Sequence, residues 1–431
     1  MKPATRPSTP YDARWKMLAV ISLGFVAMTL NWFDIAPAFP AVGTDFHTDI
    51  SRTAFLISLF LLGYGIAHIP GGMLATRIGM KRTLVIGLLL EGLAGLASGL
   101  CQNYLELATV RVVAGVGASI FIAVAFGAVS VWFEHRETTL ALGISGGAAF
   151  SVGAAIGLFL WSYLITAIGW RAALAIAGAF AVLVAVTLAL TFDTPAHTRT
   201  LGGVAITLTG LRESLANRQL WIYGVALLGG YGAYFTVSQL LAGYAVSARA
   251  LPTAWASLLS AVVGLAGIPG SIIGGALADR WQTTRMIVIV PLLLMAVGLA
   301  LIPVVPLALL WVLAVLLGAL DIFSFAAWAA VPARVAKVRH ENIGTAVGLM
   351  LTIAAVGGFV VPAVFGQIVP HSGYTVGWLF LGIVTAATAL VGLAGRNSAG
   401  SHQPGRGGDV LDGEAELGGV GVGIDRGGRL G

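Results

Sequence analysis

Between residues 17 and 395 the chain is a near-continuous series of long apolar runs, separated only by short polar or turn-rich pieces. A hydrocarbon core about 30 Å thick takes roughly 17 to 25 helical residues to cross, and these runs have that length. Composition agrees: 58% of residues are hydrophobic and 10% charged, with a mean hydropathy of +0.93, against roughly 25% charged residues in an ordinary soluble domain. The chain reads as a membrane protein with no soluble domain of useful size. Its formal charge of +6 is explained by loops at a membrane face, so no nucleic-acid partner is expected. One cysteine, Cys101, and no Cys/His cluster leave no disulfide, metal site or cofactor to expect. The first apolar run is too long for a signal-peptide core and no small-residue cleavage site follows it, so it is expected to remain in place.

Breaks between the runs give spans near 17 to 39, 52 to 76, 83 to 101, 105 to 131, 139 to 165 and 170 to 192. A second set lies near 220 to 246, 254 to 278, 286 to 304, 306 to 331, 344 to 369 and 374 to 395. The fold class is therefore all-α, twelve transmembrane helices in two six-helix bundles. The expected divisions are an amino-terminal segment 1–16, a first bundle 17–192, a central linker 193–219, a second bundle 220–395 and a disordered Gly-rich tail 396–431. Placing the amino terminus in the cytoplasm puts every basic residue in inner segments except Arg52, Arg171 and Arg249 at outer ends and Arg111 inside a span. That asymmetry predicts both termini inside, in a multi-pass protein of a bacterial inner membrane.

Two stretches repeat. "GGMLATRIGMKR" at 71 to 82 and "GGALADRWQTTR" at 274 to 285 each leave the second span of their half, with small residues followed by a basic cluster. They resemble the loop motif of the major facilitator superfamily, G-x-L-A-D-R-x-G-R-K/R. The first copy matches at Gly72, Leu74, Ala75, Arg77, Gly79, Lys81 and Arg82 and has Thr76 where the family has aspartate. The second keeps Asp279 and Arg280 and has Gln282 at the second glycine. "RVVAGVGAS" at 111 to 119 is similar to the family's fourth-span motif, with Arg111, Gly115 and Gly117 in place. The resemblance covers residues 17 to 395. It implies a secondary active transporter working by alternating access around a midplane site. It also implies that Gly72, Arg77, Gly79, Lys81, Arg82, Asp279 and Arg280 gate the cytoplasmic side.

Asp34, in "NWFDIAPAFP", stands deep in the first run, where a carboxylate costs about 2.5 to 3.5 kcal/mol unless it faces the bundle interior and finds a partner. Arg111 has the matching depth: each lies about 8 to 9 Å inside the outer end of its span at 1.5 Å per residue. Spans one and four line the cavity in the family fold, and the resemblance gives Asp34 the proton and Arg111 the task of tuning it. A permanent structural ion pair is the alternative. Asp321, in "GALDIFSF" of the tenth span, is a second candidate for proton coupling or for a hydrogen bond to a neighbouring helix. The seventh span, with "GGYGAYFTVSQ", offers Tyr231, Tyr234, Ser238 and Gln239 to a solute, and Asn31, Trp32 and Tyr64 face them from the first half. Glu91, in the third span, reads as a packing or snorkelling residue because that span is peripheral in the family fold.

The expected function is proton-coupled movement, by symport, of a small organic solute that is an organic anion if Arg111 binds it. The alternatives are proton-driven efflux of drugs or metabolites, which the resemblance disfavours because the family's drug/proton antiporters typically carry a Gly-Pro motif in the fifth span and no proline lies between Thr139 and Ile165, and a transporter-like membrane sensor or scaffold. Protons, a small-molecule substrate and the lipid bilayer are the expected partners of a monomer. No nucleophile and base stand at workable spacing, so no enzyme is expected.

Overall fold

A computed structural model describes residues 10–133, 135–193, 208–281, 283–339 and 342–397. The expected tail from 398, the first nine residues and positions 194–207 of the linker lie outside these. Among the described residues, ten helices are long and apolar enough to cross a membrane. Met80–Ser98, which carries Lys81, Arg82 and Glu91, is an eleventh, and Ile343–Val391 divides in two at Gly373. The result is twelve spans in two six-helix bundles. An even number of crossings leaves residues 10 and 397 on one side, hereafter the terminal side.

Most spans begin and end within a few residues of the expected positions; the first starts earlier, at Pro10 rather than near 17, and its helix stops at Phe33. Asp49 and Asn103 accept the backbone N–H of Arg52 and Glu106 and so start the second and fourth spans. The two prolines of "IPVVPL" leave residues 302 to 306 as the turn between spans nine and ten. Three helix pairs need only a single-residue turn. Gly79, Gly169 and Gly373 have φ of 86°, 83° and 79°, which a side chain at Cβ would strain. Each closes one helix and opens the next. Gly169 and Gly373 occupy the same place, between spans five and six and between eleven and twelve, a trace of the duplication.

Within each half, glycines bring backbones into contact. A Cβ at Gly115 would stand 2.0 Å from the Phe60 carbonyl oxygen, and one at Gly63 2.1 Å from that of Val112, so spans two and four touch directly. Spans eight and ten repeat this, with Gly318 against Val263 and Gly270 against Ala319.

The halves meet along two seams. Span two lies on span eleven: Ser51 donates to the Gly366 carbonyl at 2.9 Å and Thr352 to that of Gly65 at 3.4 Å. From Ser51 to Gly65 this seam runs about 21 Å along the helix at 1.5 Å per residue. Span five lies on span eight, where Gly147 faces Ser271 and Gly267 faces Ser151. Along the first seam the halves touch from the end opposite the termini to about mid-span.

The first span is broken. Pro10–Phe33 is a helix; after a two-residue turn come Ala36–Ala38 and Phe39–Asp45. Pro37 and Pro40 donate no N–H and their rings exclude the carbonyls four residues earlier, which ends the helix at Phe33. The outer piece is anchored at its far end. Asp45 accepts from the Trp170 indole at 2.8 Å and from Arg171 at 2.6 Å, and Arg171 also donates to the Cys101 carbonyl.

Candidate functional site

The break in span one creates the site. A helix that stops inside the membrane leaves carbonyls without their N–H partners, and these carry the negative end of the helix dipole. Arg111, on span four, meets them. Its Nη1 donates to the Asn31 carbonyl and its Nη2 to the Trp32 carbonyl, both at 2.9 Å. The planar guanidinium matches two carbonyls one residue apart, a fork that a lysine lacks. Phe60 lies under it, 4.6 Å from ring centre to guanidinium carbon.

Asp34 is the residue after the broken end. Its carboxylate comes within 3.9 Å of Arg111 Nη1, an ionic contact too long for a hydrogen bond. One carboxylate oxygen, Oδ1, has no hydrogen-bond partner among the described residues. Arg111 is thus held by carbonyls and only neighboured by the carboxylate. Asp34 and Arg111 are 2% and 4% exposed. The tight approach of span five makes this seclusion possible: Gly157 sits against the Asp34 backbone and Gly153 against Thr29 and Val26. Around those glycines the span winds as a π-helix over Gly143–Ala149 and Ile156–Leu160, a distortion frequent at functional positions.

Aromatic rings cross from one half to the other here. Trp32 stacks on Phe60 at 4.7 Å in the first half and on Phe235 of span seven at 4.5 Å, nearly parallel at 8°. Tyr64 packs against Trp32, and Tyr231 and Tyr234 meet Phe235 edge-on. The phenols of Tyr64 and Tyr231 interact across the halves. Tyr234 and Asp321 interact electrostatically, and the Tyr234 hydroxyl and Asp321 Oδ1 have no hydrogen-bond partner among the described residues. The residues expected to face a solute, Asn31, Trp32, Tyr64, Tyr231 and Tyr234, therefore share one centre with Asp34, Arg111 and Asp321.

Two others point elsewhere in this state. Ser238 donates to the Tyr234 carbonyl of its own helix, and the Gln239 amide nitrogen to that of Phe235. Short polar side chains satisfied by their own helix in this way are cheap to bury. The Asn31 amide nitrogen is likewise committed, to the carbonyls of Ala27 and Ala177, while its Oδ1 has no partner among the described residues.

On the terminal side, Gly72 is buried within span two, Gly79 makes the turn into span three, and Lys81 lies 3.9 Å from Asp193. Arg77, Arg82 and Arg280 are exposed and form no ion pair among the described residues. The side chain of Asp279 is outside the described set. A different contact stands nearby. Glu213, in the short linker helix Leu208–Ala216, accepts from Arg339 and from Asn342 at 2.8 Å, and Asn217 donates to the Ala336 carbonyl at 3.0 Å. The linker expected at 193–219 thus ends in a helix bound to the loop between spans ten and eleven, with Arg339 holding the Glu213 carboxyl below the usual range.

Of the two places expected for Glu91, packing and snorkelling, the structure takes the first. Glu91 is fully buried, 0% exposed, and within electrostatic reach of Arg111 and Asp34. A signal existed: Gly87, Gly92 and Gly95 flank it, and a stripe of small residues marks a packed face that lipid does not touch.

Known proteins place these features in a common frame. Residues 21–362 match the sequence model of the Major Facilitator Superfamily. A protein named "Probable sulfoacetate transporter" from Cupriavidus necator is 26% identical over 88% of this chain and 93% of its own. A "Probable L-galactonate transporter" from Escherichia coli is 25% identical, over 59% of this chain and 60% of that protein. Human monocarboxylate transporter 11 is 29% identical over 70% of this chain and 64% of its own. Among solved structures, a bacterial homologue of the human lysosomal transporter Spinster, inward-facing and unoccupied, superposes with a TM-score of 0.70. It is 16% identical and the match covers 90% of this chain and 96% of that one; the shared property is the fold.

Proposed function

The chain belongs to the Major Facilitator Superfamily of small-solute transporters, and on that premise we propose that it carries a small organic anion, a carboxylate or its like, together with protons. The direction is symport across a bacterial inner membrane, with both ends of the chain in the cytoplasm. The observation that carries this reading is Arg111, the one buried lysine or arginine among the described residues, fixed at the joint of span one beside an aspartate. An anion entering a low-dielectric centre needs one fixed positive charge. Asp34 neutralises that charge while ionised and releases it when protonated, so proton and anion favour the same state. That mutual preference is a coupling free energy between two ligands. The matched relatives are named for sulfoacetate, L-galactonate and monocarboxylates, all anionic at neutral pH, which supports the solute class.

Asp321 is a second proton or solute group in this reading. Tyr64, Tyr231 and Tyr234 bear hydrogen-bonding phenols toward the solute, joined by Asn31, Ser238 and Gln239 once the helices separate, with Trp32 and Phe235 parting to admit it. Purified protein in vesicles, offered sulfoacetate, L-galactonate and lactate under a pH gradient, tests the proposal. Uphill accumulation of one of them is expected from the acidic side, with Asp34→Asn retaining solute counterflow and losing accumulation. Accumulation that ignores the gradient, or survives intact in Asp34→Asn, overturns it. Movement of solute against an inward proton flow would give the efflux mode instead.

A further inference from the structure

On the terminal side of the second bundle lies a recess that has no part in the reading above. The linker helix Leu208–Ala216 ends there, span seven, Arg218–Arg249, begins after one intervening residue, and the chain leaves span twelve through the short turn Gly392–Ala394. These elements enclose a cavity of about 550 Å³ whose lining includes Glu213, Asn217, Arg218, Gln219 and Arg396. Its walls are fixed by hydrogen bonds. The Arg396 backbone N–H donates to the Gln219 side-chain oxygen at 2.8 Å, and the Arg396 carbonyl accepts from the Tyr223 hydroxyl at 2.7 Å. Arg285, at the start of span nine, holds the same segment through the Leu393 and Gly395 carbonyls, both at 3.4 Å. Asn217 is committed on both sides, donating to the Ala336 carbonyl and accepting from the Gln219 N–H.

The charge of the recess is not balanced from within. Glu213 is the one carboxylate that lines it, and its two oxygens are taken by Arg339 and Asn342. Arg218 and Arg396 are exposed and form no ion pair among the described residues. The bonds that position Arg396 come from its backbone, which leaves its guanidinium, like that of Arg218, available to a ligand. Two planar forks on one concave surface suit a phosphate, whose oxygens accept paired N–H donors.

The level of the recess selects the source of that phosphate. Trp221, in the first turn of span seven, is 43% exposed, and its indole N–H donates to the Leu215 carbonyl at 2.9 Å. Tryptophan takes such positions at the depth of the lipid headgroups. Leu215 and Leu393, on the elements that flank the recess, are exposed as well. Apolar surface beside a pair of positive charges meets an acyl chain and its anionic headgroup together. We propose that the recess binds the headgroup of an anionic phospholipid from the terminal-side leaflet, with Arg218 and Arg396 on its phosphate. The bound lipid pins the end of the linker helix to the membrane plane. This inference stands apart from the identity of the solute and from proton coupling.

Full-length protein in neutral detergent, titrated with phosphatidylglycerol or phosphatidylcholine and read by native mass spectrometry, provides the test. One phosphatidylglycerol should bind in preference to phosphatidylcholine. Arg218→Gln and Arg396→Gln should each weaken it about fivefold, the worth of one basic residue at an anionic membrane surface. Neither substitution removes a hydrogen bond among the described residues, so the fold is retained. Arg212→Gln is the comparison: Arg212 is exposed on the linker helix and does not line the recess, so its loss should change the affinity by less than about twofold. Equal weakening in all three variants means attraction to diffuse surface charge and overturns the site. Phosphatidylglycerol held as tightly by the Arg218→Gln, Arg396→Gln double variant as by the wild type overturns it too. Inorganic phosphate is the remaining arm: if it raises the melting temperature of the wild type but not of the double variant, and the two lipids bind alike, the arginines serve a soluble anion and the lipid assignment is wrong.

Discussion

Arg111→Lys separates two ways in which the centre of the molecule is held. If opposite charge holds it, a lysine keeps the contact with Asp34 and the change is mild. The geometry says otherwise: both terminal nitrogens give full hydrogen bonds to the Asn31 and Trp32 carbonyls at 2.9 Å, while the carboxylate stands off at 3.9 Å. An ammonium in place of the fork reaches one of the two carbonyls. The other is left buried and unbonded, which costs about 1–3 kcal/mol, and stacking on Phe60 is weakened by a further ~0.5 kcal/mol. We expect a loss of about 2–3 kcal/mol. Asp34→Asn is the control. The Coulomb attraction it removes is of order 4 kcal/mol at an effective dielectric near 20, but the desolvation of the carboxylate disappears with it and is of similar size. No hydrogen bond is broken, and Glu91 remains to balance the arginine. The assay is equilibrium unfolding in detergent, following tryptophan emission, with Arg111→Lys the less stable of the two. Should Asp34→Asn prove the more damaging, Arg111 is held by the carboxylate and the capping argument is wrong.

Three further outcomes follow from other parts of the molecule. Asp34→Asn combined with Glu91→Gln removes both carboxyls within electrostatic reach of Arg111, so the double variant should lose more stability than the single losses together; additivity within about 0.5 kcal/mol would show that Glu91 does not compensate for Asp34. Gly115→Ala drives a Cβ into the Phe60 carbonyl at 2.0 Å and should cost about 3 kcal/mol or prevent assembly, whereas Gly143→Ala, with nothing within 4 Å, should be silent in the same thermal assay. The Glu213 carboxyl is held below its ordinary value of 4.5 by Arg339. Its contribution to docking the linker helix is therefore full above that ordinary value and is lost as pH falls through the lowered one. Hydrogen-exchange protection over residues 208–216, corrected for the intrinsic rate at each pH, should stay level from neutral pH down to the ordinary carboxyl value and fall only below it; a loss of protection beginning near neutrality would contradict the assignment.

Much of this was legible in the chain itself, because lipid imposes a length and a polarity that apolar runs record directly. The depth match of Asp34 with Arg111 was readable by counting residues from the span ends. The bonds Arg111 makes were not. They depend on which carbonyls Pro37 and Pro40 set free and on which way the broken helix end points, neither of which a periodicity encodes. That Glu91 packs rather than snorkels was legible in its flanking glycines; its nearness in charge to Arg111 was not. The excess of arginine over lysine also has a structural sense. Arg111, Arg171, Arg249 and Arg334 each donate to backbone carbonyls at helix ends or in loops, where a planar fork with several donors serves better than a point charge.

Because its far segment is tied down through Asp45, Trp170 and Arg171, the first span is a jointed rod with one end clamped. Any swing available to it belongs to the long arm from Pro10 to Phe33, and the pivot of that swing is the stretch that carries Asp34. Under the proposed coupling, the residue that receives a hydrogen ion and the hinge that turns are the same few atoms, so chemical input and mechanical output need no transmission between them.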